Sequence, residues 1–282
     1  MIFKTNKTKS SLLCLGGFFL LSFSLRAQFV NWNKPFQFGE SITYEIRYNW
    51  GFVWLDAGTV NFSVNRGEHM GEPVFQFDGN GKTYKKYDWI YKVRDTYQAK
   101  ADTSRLIPKR FKRNVHEGRS IYSDQALFDQ KKGAAYNFFK KANKDIQRDT
   151  VPLVDSLYDV LSMIYFSRCI DWDEYKLGDK IPIRLYLDAE VYFTHITYMG
   201  KASKEVEGLG EVRCILFKPQ LIEGTIFRGG DNMTVWVTDD RNKIPVYIET
   251  PILVGNIKVS LLEAKGLKYP KDFERIVKKE EN

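Results

Sequence analysis

Side chains that hold metals or carry out redox chemistry are scarce in this chain. Its 282 residues include three histidines and three cysteines, and no H-E-x-x-H, H-x-H or C-x-x-C spacing occurs. A dedicated zinc site or redox dithiol needs such spacings, so no metal and no cofactor is expected. No G-x-S-x-G is present either, which removes the most visible feature of a nucleophile-elbow hydrolase. Nine prolines and the absence of Ser/Gly-rich tracts leave no flexible linker, so one domain is expected over residues 28–282. No concentrated basic stripe exists: clusters such as Lys109-Arg110-Phe111-Lys112-Arg113 are short and mixed with carboxylates, which argues against nucleic acid as a partner.

What is present begins with a targeting pattern. Lys4, Lys7 and Lys9 precede an apolar stretch from Leu12 to Leu25, and Arg26-Ala27-Gln28 places a small residue at a cleavage point. This is the layout of a secretory signal peptide over residues 1–27, too short and wrongly flanked for a spanning helix. Cys14 follows Ser11-Leu12-Leu13 and so lacks the small preceding residue of a lipoprotein anchor. The expectation is an exported protein, periplasmic or associated with the outer envelope, with no integral membrane span after cleavage. Losing four cations and no acid lowers the formal net charge from +8 to +4. Export also leaves two cysteines, Cys169 and Cys214, in an oxidising compartment, where they form either a disulfide or two buried thiols.

Period-2 alternation dominates the rest, as half-buried strands require. Ile42, Tyr44, Ile46 and Tyr48 alternate with polar residues, as do Val60, Phe62 and Val64, and Val74 to Phe77 follow a turn. Further strands are predicted at 93–101, 108–116, 119–128, 134–139, 145–151, 181–188, 191–200, 211–222, 233–238, 244–250 and 256–264. One segment breaks the pattern. Val154, Leu157, Leu161, Ile164, Tyr165 and Arg168 recur at helical spacing, predicting a helix over about 155–170 with Asp155 at its start. The order, strands then one helix then strands, predicts a mainly β protein: a long antiparallel meander curled upon itself, with the amphipathic helix packed on its concave face.

Candidate chemistry is sparse. Gly79-Asn80-Gly81-Lys82-Thr83 imitates a phosphate-binding loop, but Gln76 stands where the first glycine is needed, and the segment is expected to be a tight turn. Asp239-Asp240 reads as turn chemistry. No catalytic residue is assigned. In Val93-Arg94-Asp95 two neighbouring charges point to opposite faces of a strand, so one faces inward and needs a partner; a structural ion pair is expected there, with a ligand anchor as the alternative. The place to look for a binding site is inside the curve of the sheet near Arg94, Asp95, Tyr97, Trp89 and Trp236.

Several segments together resemble an exported bacterial family known only as a domain of unknown function. They are Phe38-Gly39-Glu40 with Tyr44 and Tyr48; Ala57-Gly58; Gly81-Lys82-Thr83; Val93-Arg94-Asp95; and Asp159-Val160-Leu161-Ser162 through Arg168. The run Val235-Trp236-Val237-Thr238-Asp239-Asp240 with Ile244-Pro245-Val246, then Gly255 and Leu261, carries the most of it. The Ala27-Gln28 junction is similar to those of exported Bacteroidetes proteins. The resemblance implies a periplasmic or envelope protein with no established activity. It also implies a sheet curled into an open barrel or spiral, with a shape similar to the periplasmic carriers of lipoproteins.

The function expected on these grounds is non-enzymatic: binding or scaffolding for a hydrophobic ligand, such as a lipid, or for an envelope protein partner. The alternative is a carbohydrate-binding or carbohydrate-active protein. In that case Trp32, Trp50, Trp54, Trp89, Trp172 and Trp236 would supply rings for stacking on sugars.

Overall fold

A computed structural model describes residues 30–50, 53–223, 229–230, 232–252 and 255–277; the signal peptide and Cys14 lie outside them. Among the described residues the first half contains β1 (Ser41–Trp50), β2 (Val53–His69), β3 (Glu72–Thr83) and β4 (Arg94–Asp102). It continues with β5 (Pro108–Glu117), β6 (Ser120–Asp129), β7 (Ala134–Lys141) and β8 (Gln147–Pro152). A two-residue β9 (Leu157–Tyr158) leads into α1 (Val160–Arg168). The second half contains β10 (Lys180–Leu187), β11 (Glu190–Val206), β12 (Gly210–Pro219), β13 (Thr234–Thr238), β14 (Pro245–Pro251) and β15 (Asn256–Lys265), then α2 (Pro270–Ile276).

All fifteen strands form one sheet, in the order β8-β7-β6-β5-β4-β3-β2-β1-β15-β14-β13-β12-β11-β10-β9. Each strand pairs antiparallel with its neighbour, except β9, which lies parallel to β10. The meander is joined in the middle by β1 and β15, where Ile46 faces Val259. The sheet curls without closing. Val64, Phe77, Ala99, Phe111 and Phe128 from the first half share one buried cluster with Ile181, Ile196, Phe217 and Val235 from the second.

Between the two halves sits α1. Its start is fixed by Asp159, whose carboxylate accepts from the N–H groups of Leu161 (2.9 Å) and Ser162 (3.0 Å). Leu161, Tyr165 and Phe166 are buried on it. Tyr165 stacks on Phe77 at 4.0 Å and meets Phe36 edge-on at 5.0 Å. Burying side chains of this size stabilises by roughly 1.5–3 kcal/mol each, which holds the helix in the concavity.

The structure corrects three expectations. The helix begins at Val160, not near 155, because Leu157 and Tyr158 pair with Arg184 and Leu185 of β10 before Asp159 caps it. Gly79 to Thr83 is not a tight turn but the end of β3. Gly79 faces α1, where a Cβ would lie 3.4 Å from Leu161 Cδ2 and 3.3 Å from the ring of Phe62. The helix has a companion, α2, opened by Pro270 and buried through Ile276 on a smaller cluster with Val212 and Ile244. Of the two readings left open for Cys169 and Cys214, the structure has the free thiols, buried in different clusters. No described helix is long and apolar enough to cross a membrane.

Candidate functional site

Strand alternation separates the five residues expected to line one site. Asp95 and Tyr97 face inward on β4. Asp95 is buried and its Oδ1 accepts the His116 N–H at 2.9 Å. Its neighbour Glu117 has a pKa pushed up to about 6, first by burial and then by the charge of Asp95, to which it is hydrogen-bonded. Tyr97 tilts its ring onto Phe111 at 6.2 Å. Arg94 points to the other face, as its neighbours dictate. It pairs with Asp88 at 2.6 Å and donates to the Thr83 carbonyl at 3.2 Å. The structural ion pair is present, but Asp88 supplies its anion.

Trp89 is 83% exposed beyond the 3-10 turn Lys85–Tyr87. Trp236 lies on β13 in the other half, on the face opposite Val235 and Val237, edge-on to Tyr247 at 5.3 Å. Lys204 Nζ covers both rings, at 4.9 and 4.2 Å. The five residues therefore do not converge; only Asp95 and Tyr97 share the inner wall.

That wall is occupied. Arg168, in the last turn of α1, forks onto Glu40, and its Nη2 also donates to the Asn242 carbonyl at 2.9 Å. The rings of Phe36 and Tyr165 flank the guanidinium at 5.4 and 5.6 Å. This latch joins three of the segments that carry the family resemblance. Sequence gave Glu40 and Arg168 no mutual signal, because they are 128 positions apart.

A second polar group closes the seam where the two ends of the sheet approach. Arg113 on β5 pairs with the buried Asp124 on β6 at 3.1 Å and with Asp188 in the β10–β11 turn. Burial pushes the Asp124 carboxyl up, and Arg113 opposes that shift without cancelling it. Tyr186 Oη donates to Asn137 Oδ1 at 3.1 Å. Both groups hold the sheet together; neither opens onto a cavity among those described.

An open concavity lies on the outer face. A groove of about 490 Å³ crosses β2 to β5, lined by residues that include Asn65, Asp78, Thr96, Gln98, Arg110 and Lys112. Asp78 lies at its centre, accepting from the amides of Asn65 (2.9 Å), Gln76 (3.0 Å) and Gln98 (2.9 Å). Tyr97 also borders the groove, although its ring packs on the inner face. Sequence reading passed over these residues because isolated Asn, Gln and Thr carry no motif; only strand register brings them together.

The tryptophans proposed for sugar stacking do not gather there. Trp172 is 1% exposed and stacked on Phe217 at 4.9 Å, and Lys258 lies over Trp54 at 4.2 Å. The Trp50 side chain is outside the described residues. Among the described residues no group of three or more His, Cys, Asp or Glu could hold a metal ion.

Comparison with solved structures finds the same fold in a β-barrel-like protein of domain of unknown function DUF1849 from Brucella abortus. It aligns with a TM-score of 0.53 at 10% identity, covering 86% of this chain and 100% of that one. The comparison with curated proteins finds no match. The sequence pattern of the DUF3108 family, described as proteins of unknown function, matches residues 43–262, and the chain belongs to that family.

Proposed function

We propose that this is an exported, non-enzymatic binding or scaffolding protein of the periplasm or outer envelope, which meets its partner on the outer surface of the curled sheet. The observation that carries this reading is the filling of the concavity: α1, with Tyr165, Phe166 and Leu161 fully buried, takes the apolar wall that a lipid would need. A hydrophobic ligand inside the curl would have to displace the helix and break the Glu40–Arg168 latch. The scarcity of catalytic motifs supports a non-enzymatic role.

The test is cell fractionation followed by native mass spectrometry of protein gently purified from its own envelope. Recovery in the envelope fraction with a bound protein or polar ligand is the expected result. A cytoplasmic location, or protein that arrives with no partner under every gentle condition, would reject the proposal. The carbohydrate reading is favoured by a separate observation, the polar outer groove with its amides and cations.

A further inference from the structure

We propose that the groove across β2 to β5 binds an acidic oligosaccharide, a chain of sugars bearing carboxylates. This rests on the reading of the protein as a binder and gives that reading a ligand class. Register builds the site. Three cross-strand rows span the four strands: Asn65-Gln76-Lys100-Arg110, Ser63-Asp78-Gln98-Lys112 and Asn61-Asn80-Thr96-Asn114. Every side chain in them can hydrogen-bond, and with neighbouring strands about 4.8 Å apart the rows extend about 14 Å across the sheet.

The wiring decides what the rows offer. The two Asp78 oxygens are engaged by the amide NH₂ groups of Asn65, Gln76 and Gln98, which turns the carbonyl ends of those amides away as acceptors for hydroxyl donors. Asp78 is the one carboxylate lining the groove, whereas Arg110 and Lys112 supply two cations there and Lys100 a third in the adjoining row position. Lys100 Nζ reaches the Glu68 carbonyl at 2.8 Å, and Arg110 Nη2 is held by Gln125 at 3.0 Å. Acceptors for hydroxyls beside an excess of cations match a polyhydroxylated anion. No aromatic side chain belongs to the rows, and Tyr97 at the border of the groove turns its ring onto Phe111, so bases would have no platform to stack on and single-stranded nucleic acid is disfavoured.

Isothermal titration of the mature chain with hexagalacturonate, neutral maltohexaose and a single-stranded oligonucleotide tests this. The uronate is expected to bind at least about tenfold more tightly than the neutral sugar, and Lys112→Gln or Arg110→Gln to weaken it by about tenfold. Raising salt from about 0.05 to about 0.5 M should weaken it further. Lys144→Gln, in an exposed turn, should change nothing, and thermal midpoints should stay within a degree or two of each other.

Equal affinity for the neutral sugar, or uronate binding insensitive to both groove variants, overturns the proposal. Oligonucleotide binding as tight as uronate binding reduces the groove to a nonspecific polyanion patch. If uronate fails to bind while native mass spectrometry finds another envelope partner, this inference falls and the binder reading stands; absence of any partner removes both.

Discussion

Arg168 and Glu40 meet through two parallel hydrogen bonds, Nη1 to Oε1 at 2.5 Å and Nη2 to Oε2 at 3.0 Å, with both side chains almost wholly removed from water. A buried pair in this geometry joins the end of α1 to the entrance of β1, and the Asn242 carbonyl adds the β13–β14 turn. Each charge is tolerable only while its partner is present. Arg168→Met or Glu40→Gln alone should therefore cost about 3–5 kcal/mol, whereas the double variant should recover part of that loss. Denaturant unfolding with constant m-values checks this. Single variants losing under about 1 kcal/mol would show that water reaches the pair.

Asp159 links the helix cap to pH. Burial raises its carboxyl to about 6, against the hydrogen bonds from Ser162 and the helix N–H groups. The native state therefore holds this proton to higher pH than the unfolded chain does. Its contribution to stability is complete below about pH 4, falls as pH rises towards 6, and is level above that. The amplitude is at most about 3 kcal/mol. Asp159→Asn keeps the accepting oxygen and removes the titration, so its urea midpoint should vary less than the parent's between pH 4 and 6. Identical pH profiles would mean that the carboxyl is well hydrated and titrates alike in the native and unfolded chains. Glu117, also raised to about 6, adds a slope of the same sign to both proteins, so the comparison between them isolates Asp159.

The two described thiols behave as core residues. Burial pushes Cys169 and Cys214 up to about 12, far from the thiolate that alkylation needs. Native protein should resist iodoacetamide at pH 8 and label at both positions once unfolded, and dithiothreitol should not move its thermal midpoint. A midpoint that drops on reduction would mean that the two cysteines pair after all.

Much of this architecture was legible in the chain because period 2 is a direct consequence of strand geometry. Ile42-Tyr44-Ile46 and Val60-Phe62-Val64 declare both the strands and their shared inner face. What stayed hidden depended on long-range packing. Gly79 looks like a turn residue until α1 is known to press against β3. Val154 and Leu157 fit the helical stripe, but pairing with β10 claims Leu157 for a strand. Arg94 and Asp95 were correctly set on opposite faces, whereas Trp236 required knowing that Val235 and Val237 point at the core. The groove was illegible for a different reason: Asn65, Gln98 and Lys112 become neighbours only through four-strand register, which no spacing along the chain encodes.

The seam should be the first part of the sheet to open. Among the described residues no backbone ladder joins β10 to β5, β6 or β7; side chains do, through Tyr186 to Asn137 of β7, Arg113 of β5 to Asp188, and the ring of Tyr186 edge-on to Phe128 of β6 at 5.1 Å. Tyr186→Phe keeps the ring contact and strands the buried Asn137 oxygen, for a loss of about 1–3 kcal/mol. Arg113→Met is harsher, because Asp124 stays 3% exposed without its cation and is driven further towards the neutral form. That variant should therefore lose stability as pH rises, since the native carboxyl then holds a proton that the unfolded one releases. Amide hydrogen exchange locates the effect: in both variants protection should fall first in β7, β8 and β10, with β1, β2 and β15 unchanged until global unfolding. Uniform loss across all strands would mean that the curl opens as one cooperative unit and that the side-chain seam is no weaker than the hydrogen-bonded ladders.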